Sequence, residues 1–536
     1  PALSSYLLRG GEEKDTRLVA LLKRPYLRLL RGALEWNKLT FAAAVCLLMI
    51  AVGLIPLLGK AFIPTLKEGT IAPALIRVPN ISLDEAIRVE MEAMRRVVQI
   101  PGVRMAVSKL GKGESPADPA GPNESDPVVS LVPRDKWAKG WTQETFEDAI
   151  RSKLDTIPGI QLVMNQPIAA RVDEMITGVR SQIAIKLFGE DLAVLKKSGD
   201  EIAKVLQGIP GSTDLRVERL TGQEYLNIVI DRGMIARHGF NVDDINWMIE
   251  GSIGGKAVTQ IYEGERRFNL IVRLPEEYRK NPEIISNLVL TGPSGVRVAL
   301  RDLAQIALVD GPSMINREEG RRRIVIGCNV TGRDLGGFVA EAQARIEERV
   351  KIPQGYSIVW GGQFQNMERA MSRLMVIVPI TIGAIFFLLF ILFNSIRFAT
   401  LIIIILPFAS IGGIFSLLLF REYLSVPASI GFIALWGIAV LNGVVLVSYI
   451  RALRIEGVDQ EEAIIRGCEQ RFRPVMMTAA VAMLGMVPMV LSSGVGSEVQ
   501  RPLAVVVIGG LITSTLLTLV VLPCLYRWFE EKKIEA

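Results

Sequence analysis

The sequence predicts a membrane α-helical bundle with six spans, combined with a large periplasmic α+β domain of repeated small sandwich subdomains. Two observations predict this fold class. Six apolar segments have about the 20 residues that cross a hydrocarbon core, and none carries a charged residue in its interior. A long stretch of soluble-looking sequence separates the first segment from the other five. The segments are Leu39–Gly59, Leu374–Phe393, Ala399–Phe420, Ser429–Ile450, Pro474–Leu491 and Leu503–Leu525.

Lysine and arginine in the short flanking loops predict the orientation. They concentrate before the first segment, between the fourth and fifth, and after the last, whereas the two opposite loops hold only Arg421 and Arg501. The basic side is expected to be cytoplasmic, so the large domain is expected to be exported to the other side of the membrane. The predicted organisation is a cytoplasmic segment at 1–38, a first span at 39–59, periplasmic subdomains at 60–372, a five-span bundle at 373–526 and a cytoplasmic tail at 527–536.

The beginning of the chain predicts that it belongs to something longer. It starts with Pro1 rather than methionine, and the following Ala-Leu-Ser-Ser-Tyr-Leu-Leu is typical of the cytoplasmic end of a preceding span. We therefore expect the sequence to be the C-terminal part of a larger protein.

Composition excludes several classes of function. The net charge of +6 is largely explained by the cytoplasmic loops, so no nucleic-acid partner is expected. Cys328 is alone in the exported domain, and no cysteine or histidine spacing is typical of a zinc site. The sequence holds a single histidine, His238, and no phosphate-binding motif. A hydrolytic enzyme or an ATP-driven pump is therefore disfavoured, and no cofactor is expected.

The exported domain contains a repeated pattern. Four times, a helical stretch ends in Ile-Pro and leads into a strand, because proline stops the helix and glycine permits the turn. This pattern predicts several small sheets, each covered by helices on one face, although one larger α+β domain is the alternative. The 253–274 stretch predicts a projecting hairpin with a polar tip. The four units begin at Leu83, Glu144, Leu192 and Leu335.

Five stretches of the chain carry a family resemblance. They begin at Arg171 (Arg-Val-Asp-Glu-Met), Gly431 (Gly-Phe-Ile-Ala-Leu), Val440 (Val-Leu-Asn-Gly-Val-Val), Arg471 (Arg-Phe-Arg-Pro-Val-Met-Met-Thr) and Gly496 (Gly-Ser-Glu-Val-Gln-Arg-Pro-Leu-Ala). Through them the chain resembles the heavy-metal branch of the resistance-nodulation-division (RND) efflux pumps, in particular the cobalt–zinc–cadmium type of inner-membrane subunit. The resemblance covers essentially the whole chain. It implies a homotrimeric, proton-driven antiporter of a bacterial inner membrane that exports divalent cations through a periplasmic adaptor and an outer-membrane channel, with a docking region at about 181–290.

The resemblance also implies positions that support a proton relay. Spans two to six hold no Asp, Glu, Lys, Arg or His side chain, so the chain alone is not expected to couple a proton gradient. In RND pumps the carboxylates lie on a span of the N-terminal half. Asn442, Arg471 and Thr478 fall at relay-supporting positions of that pattern. The alternative is that Asn442 and Thr478 only form interhelical hydrogen bonds.

The substrate is expected to be a metal cation held by carboxylates. An acidic run of Glu114, Asp118, Glu124 and Asp126 lies in a predicted loop at 111–127, and Asp173-Glu174 form a second acidic group. The resemblance implies that the three methionines of the cleft site in copper–silver pumps correspond to positions near Ala74, Glu124 and Glu174. Oxygen ligands favour zinc, cobalt, nickel or cadmium over copper(I).

We therefore expect Glu124, Asp173 and Glu174 to face one cleft. On a regular strand the last two would point to opposite faces unless the backbone turned. The alternative for these carboxylates is an acidic loop that is only solvated. The second functional class, after a metal-cation pump, is a multidrug RND subunit. The low aromatic content of 7% disfavours the multidrug subunit. A structural or protein-export role without transport is the third class.

Overall fold

A computed structural model describes residues 17–64, 67–111, 121–177, 181–292, 295–492 and 494–530. Sixteen α-helices, four short 3-10 or π helices and fifteen strands are assigned within these residues. The strands are β1 (Thr70–Ile76), β2 (Val103–Leu110), β3 (Glu124–Leu131), β4 (Gln161–Asn165), β5 (Ile183–Phe188), β6 (Ser212–Val217), β7 (Gln223–Ile230), β8 (Lys256–Glu263), β9 (Arg266–Val272), β10 (Val289–Thr291), β11 (Arg297–Ala299), β12 (Ala304–Gly311), β13 (Arg317–Glu318), β14 (Arg321–Val330) and β15 (Ser357–Gly362).

Some α-helices pack within the globular units, and the others belong to the helical bundle. They are α1 (Arg17–Glu35), α2 (Asn37–Leu54), α3 (Leu83–Val98), α4 (Gln143–Leu154), α5 (Pro167–Thr177), α6 (Leu192–Gln207), α7 (Arg232–Arg237), α8 (Val242–Ile249), α9 (Pro282–Ser286), α10 (Leu300–Leu303), α11 (Leu335–Arg349), α12 (Gln363–Phe393), α13 (Ile396–Leu419), α14 (Val426–Ile455), α15 (Gln460–Leu491) and α16 (Ser497–Phe529).

Six helical segments are long and apolar enough to cross a membrane, as the sequence predicts: α2 with its short continuation to Leu58, and α12 to α16. Several begin earlier than their apolar segments. Pro474, the expected start of the fifth span, lies inside α15, which begins at Gln460. Proline removes one backbone hydrogen bond, and a long helix can continue across it with a kink.

The last helix, α16, occupies the middle of the bundle. It packs on α13, α14 and α15, and its side chains at Val506, Leu511 and Leu522 are fully buried. Gly412 and Gly509 allow α13 and α16 to approach closely, since a Cβ on either glycine would collide with the backbone of the other helix. The hydroxyl of Thr513 accepts a hydrogen bond from the Gly412 amide at 3.0 Å. Small residues thus let the backbones of α13 and α16 come into close contact, with no large apolar side chain between them.

The first globular unit is a four-stranded antiparallel sheet in the order β2-β3-β1-β4. Helices α3 and α4 supply its core. Alternate residues of β1 are buried, which is the period of a strand with one covered face. Phe146 and Ile150 of α4 complete the core with Ile71 and Leu75 of β1.

The second globular unit is assembled from two separate stretches of the chain. Its sheet has the order β13-β14-β5-β15, and β6 also pairs with β14. Every residue of β5 is buried, as expected for a central strand. Helices α6 and α11 form its core with residues such as Leu195, Ile202 and Phe338. The helix-to-strand stretches of the sequence thus occur as pairs, two in each sheet.

A smaller unit interrupts the second one. Strands β7 and β12 form an antiparallel ladder that packs with α7 to α10 around Ile235 and Ile245. From this unit extends the hairpin β8–β9, which has a turn at Gly264 and Glu265. This is the projecting hairpin that the sequence predicts. Nearly all of its residues are exposed, and these include Val258, Phe268 and Ile271.

Candidate metal site and proton-relay positions

Helix α5 carries two of the three predicted metal ligands. It begins at Pro167, whose ring fits the first helical turn. The amides of Ile168 and Ala169 donate hydrogen bonds to the carboxylate of Glu68 at 2.9–3.0 Å. A carboxylate at a helix N-terminus satisfies free amides and favours the helix dipole. Glu68 therefore anchors α5 to the chain that enters β1.

The helical conformation corrects one expectation. Asp173 and Glu174 lie within α5 rather than on a strand. Successive residues of an α-helix are rotated by about 100°, so the two carboxylates occupy adjacent sectors of one helix instead of opposite faces. The two carboxylates therefore point about 100° apart, and they have different partners: Gln363 for Asp173 and Arg171 for Glu174.

Asp173 joins α5 to the first residue of the span helix α12. The side-chain amide of Gln363 donates to Asp173 Oδ2 at 3.0 Å and to Oδ1 at 3.3 Å. Burial of the carboxyl group raises the pKa of Asp173 to about 6, and the hydrogen bond from Gln363 opposes this shift. Asp173 is therefore a carboxylate that exchanges its proton near neutral pH.

Glu174 is less enclosed. It accepts a charge-assisted hydrogen bond from Arg171 at 3.0 Å, one turn earlier on α5, and the Arg171 side chain is 70% exposed. An exposed pair at this spacing contributes little to stability. This pair alone therefore holds the Glu174 carboxylate only weakly.

Glu124 does not lie in a loop, contrary to expectation. It begins β3 and stands opposite Ile76 in the ladder with β1, and Asp126 belongs to the same strand. The strand forms because alternate residues, beginning with Ser125, point into the covered side of the sheet. Glu114 and Asp118, also predicted in this acidic run, lie outside the described residues.

A buried ion pair stands directly beside Glu124. Arg77 contacts Glu90 of α3, and the hydroxyl of Ser125 donates to Glu90 Oε2 at 2.6 Å. Arg77 is 1% exposed and the backbone amide of Arg77 donates to Asn123 O at 2.8 Å. The network fixes the start of β3, and with it the position of Glu124.

The predicted ligands lie around the same sheet but at different ends of β1. Glu124 stands opposite Ile76, whereas α5 follows β4, whose last residue Asn165 stands opposite Ala72. Among the described residues, no group of three or more His, Cys, Asp or Glu side chains is arranged so that it could hold a metal ion. A shared site of Glu124, Asp173 and Glu174 therefore stays a prediction. Sequence reasoning did not identify Glu68 or Gln363, which contact α5 from 100 and 190 residues away in the chain.

The three relay positions have different surroundings. Asn442 of α14 is 3% exposed, and its amide nitrogen has no hydrogen-bond partner within the described part of the chain. The Arg471 guanidinium lies over the ring of Tyr449, 4.4 Å from its centroid. Thr478 is exposed and donates to the Pro474 carbonyl oxygen at 2.9 Å within its own helix.

A model of the protein family described as AcrB/AcrD/AcrF matches residues 1–530. The chain belongs to this family of RND efflux transporters. It is 41% identical, over 100% of its length, to the cation efflux system protein CzcA of Alcaligenes sp. strain CT14, of which it covers 51%. It is also 41% identical to the cobalt-zinc-cadmium resistance protein CzcA of Cupriavidus metallidurans, again over 100% of the chain and 51% of the relative.

The fold agrees with that of a solved heavy metal efflux pump. The crystal structure of that pump superimposes with a TM-score of 0.87 at 35% identity, covering 96% of this chain and 52% of the pump. The resemblance to heavy-metal RND transporters predicted from the sequence is therefore confirmed. The chain spans about half the length of the curated relatives it matches.

Proposed function

We propose that the chain functions as the C-terminal half of an inner-membrane pump that exports divalent heavy-metal cations in exchange for protons. The observation that carries this proposal is the identity of 41% across the whole chain with a cobalt-zinc-cadmium resistance protein. Such a pump is a secondary transporter rather than an enzyme. Its substrates would be zinc, cobalt, nickel or cadmium.

The chemistry of the candidate site supports this class of substrate. Glu124, Asp173 and Glu174 offer carboxylate oxygens, which zinc accepts at about 2.0–2.2 Å. Asp173 adds a proton-exchanging group, because a carboxyl with a pKa of about 6 changes charge close to neutral pH. Protonation would weaken metal binding, so release could be linked to acidification. The ligand set remains part of the proposal.

Proton coupling would need groups beyond this chain. In the expected arrangement, Asn442, Arg471 and Thr478 support carboxylates that a span of the other half supplies. The exposed side chain of Thr478 is compatible with such a neighbour. Asn442 is 3% exposed, so other side chains of this chain enclose it, and any support from it would pass through intervening groups.

Assembly into a homotrimer is supported by the hairpin β8–β9. A two-stranded ribbon is at best marginally stable in water by itself, and this one exposes apolar residues on both faces. Burial against another copy of the chain would stabilise the ribbon and would cover its apolar side chains. The hairpin unit would then serve as part of a docking region for a periplasmic adaptor and an outer-membrane channel.

The proposed topology places residues 60–372 in the periplasm. Reporter fusions after Gly59 and near Asn287 should then give periplasmic signals, and fusions near Asp459 should give cytoplasmic ones. A cytoplasmic signal at Asn287 would contradict the six-span topology.

Metal sensitivity tests the proposed substrate class. The full-length pump should restore growth of a metal-sensitive host on zinc, cobalt, nickel or cadmium, and an Arg471→Ala variant should not, at equal protein level in the membrane. Resistance to dyes and detergents without resistance to any of these metals would instead favour the multidrug alternative.

A further inference from the structure

Helix α1 lies at the end of the bundle remote from the globular units. The ring of Tyr26 stacks on Phe472 of α15, with centroids 4.7 Å apart, and its hydroxyl donates to the Leu519 carbonyl oxygen of α16 at 3.0 Å. The globular part joins the opposite end, where Lys60 forms a bridge with Leu424. The chain then turns at Trp36 directly into the span helix α2. α1 therefore lies at the level where the spans leave the membrane.

Three faces can be distinguished on α1. The first packs on the bundle and is buried; it consists of Tyr26, Leu30, Ala33 and Leu34. The second flanks it and is apolar but uncovered. Leu22 and Leu29, two turns apart, lie on this second face, and Leu29 is 56% exposed.

The third face is basic and points away from the bundle. Arg24, Arg28 and Arg31 follow the spacing i, i+4, i+7 of one helical side, and all three are exposed. Within the described residues, no carboxylate forms an ion pair with any of them, whereas the neighbouring Lys23 pairs with Glu469 of α15 at 3.3 Å. Three guanidinium groups thus remain available within about 10 Å of helix length.

This combination fits one surrounding. Helix α1 has uncovered leucines beside a row of arginines and joins a transmembrane span without a linker. These features are typical of an interfacial helix whose apolar side enters the acyl chains. Arginine suits the adjoining phosphates because its planar fork can donate two parallel hydrogen bonds. We propose that α1 lies in the membrane interface and that Arg24, Arg28 and Arg31 bind the phosphate groups of anionic phospholipids in the same leaflet.

Two features on α1 decide between a lipid and another occupant. The arginine row is complementary in charge to anionic headgroups, and the apolar face is continuous with the membrane-embedded surface of α2, where Leu39 and Leu47 are exposed. A protein partner on α1 would have to cover leucines and arginines that lie at membrane level. It is the competing outcome of the test below.

The test places a fluorophore on the apolar face of α1 in the full-length pump. A Cys46→Ser, Leu29→Cys background is labelled with bimane and reconstituted into phosphatidylcholine vesicles that contain either brominated phosphatidylglycerol or brominated phosphatidylcholine. Brominated phosphatidylglycerol should quench the label more efficiently, with a preference of about fivefold for each arginine–phosphate contact, decreasing with added salt. The triple variant Arg24→Gln, Arg28→Gln, Arg31→Gln should quench equally with both lipids.

A matched triple variant controls for the loss of charge. Arg297, Arg301 and Arg349 are exposed arginines of the globular part, and their replacement by glutamine should leave the preference unchanged. Replacement of the three α1 arginines by lysine should retain part of it. Equal quenching by both brominated lipids in the labelled background would overturn the proposal, as would a label that neither lipid quenches, because a protein surface or water would then cover α1.

Discussion

Asp173 and Gln363 connect the candidate metal site to the membrane helices. Gln363 is the first residue of α12, and its side-chain amide donates to the Asp173 carboxylate at 3.0 Å. Gly362 precedes it with a φ of +78°, a conformation that favours glycine. A change of charge or ligand at Asp173 would therefore act directly on the start of a span.

Removal of the Asp173 carboxyl should change how stability depends on pH. Its folded-state pKa of about 6 lies above the ordinary value of 3.8, so the folded protein holds a proton there that the unfolded chain releases. The stability that this group contributes is present below pH 3.8 and is lost as the pH rises through about 6. Asp173→Asn should flatten the fall in Tm between about pH 4 and about pH 7.

The control for this measurement is Glu347→Gln, which removes a carboxyl from the exposed side of α11. Its Tm profile should follow that of the parent chain. A parallel fall in Tm for Asp173→Asn and the parent would show that Asp173 is not the titrating group.

Glu174 is expected to determine metal preference. Glu174→Ala should raise zinc or cobalt sensitivity of cells that carry the full-length pump, because an oxygen ligand is lost. Glu174→Met should shift resistance towards softer ions such as copper(I) or silver. Immunoblots of the membrane fraction must show equal protein, and Glu347→Ala provides the matched control. Unchanged zinc resistance in both Glu174 variants would remove it from the site.

Loss of the buried ion pair should be far more damaging than loss of an exposed one on the same helix. Glu90→Gln leaves Arg77 buried without its countercharge, and removal of one partner of such a pair costs about 3 to 5 kcal/mol. Glu85→Gln breaks an exposed pair with Arg88 on α3 and should have little effect. Thermal unfolding of both variants measures the difference. Similar Tm values would contradict the structural role given to Arg77 and Glu90.

Charges on the hairpin should weaken assembly. Val258→Asp with Phe268→Asp would place unpaired carboxylates on a surface that we expect another copy to bury. Mass photometry in mild detergent should show monomers in place of trimers. Thr259→Ser, on the same strand, should remain trimeric. A trimer of undiminished stability in the double aspartate variant would mean that the hairpin lies outside the subunit interface.

The spans and most strands could be predicted from sequence because hydrophobic length and alternation are local signals. The projecting hairpin could also be predicted from the sequence, because its two strands are neighbours in the chain. The pairing of β5 with β14 was not, because more than a hundred residues separate them and no local pattern encodes the match.

Two features of the site illustrate a similar limit. The sequence around Asp173 allows a helix or a strand, and Glu68, which caps α5 from 100 residues away, favours the helix. The spacing of leucine and arginine in α1 is typical of an amphipathic helix, but residues 1–38 were predicted only as a cytoplasmic segment. The contact with Gln363 had no sequence signal at all.

Zinc flux into vesicles tests the central claim most directly. The full-length pump is reconstituted with a zinc-sensitive dye inside, and a proton gradient is imposed across the membrane. We expect zinc to move in the direction opposite to the protons. The zinc flux should stop when the proton gradient is collapsed, and it should be much smaller in Arg471→Ala. Proton-coupled transport by the 536-residue chain alone, or no metal flux from the full-length pump under a maintained gradient, would contradict the account.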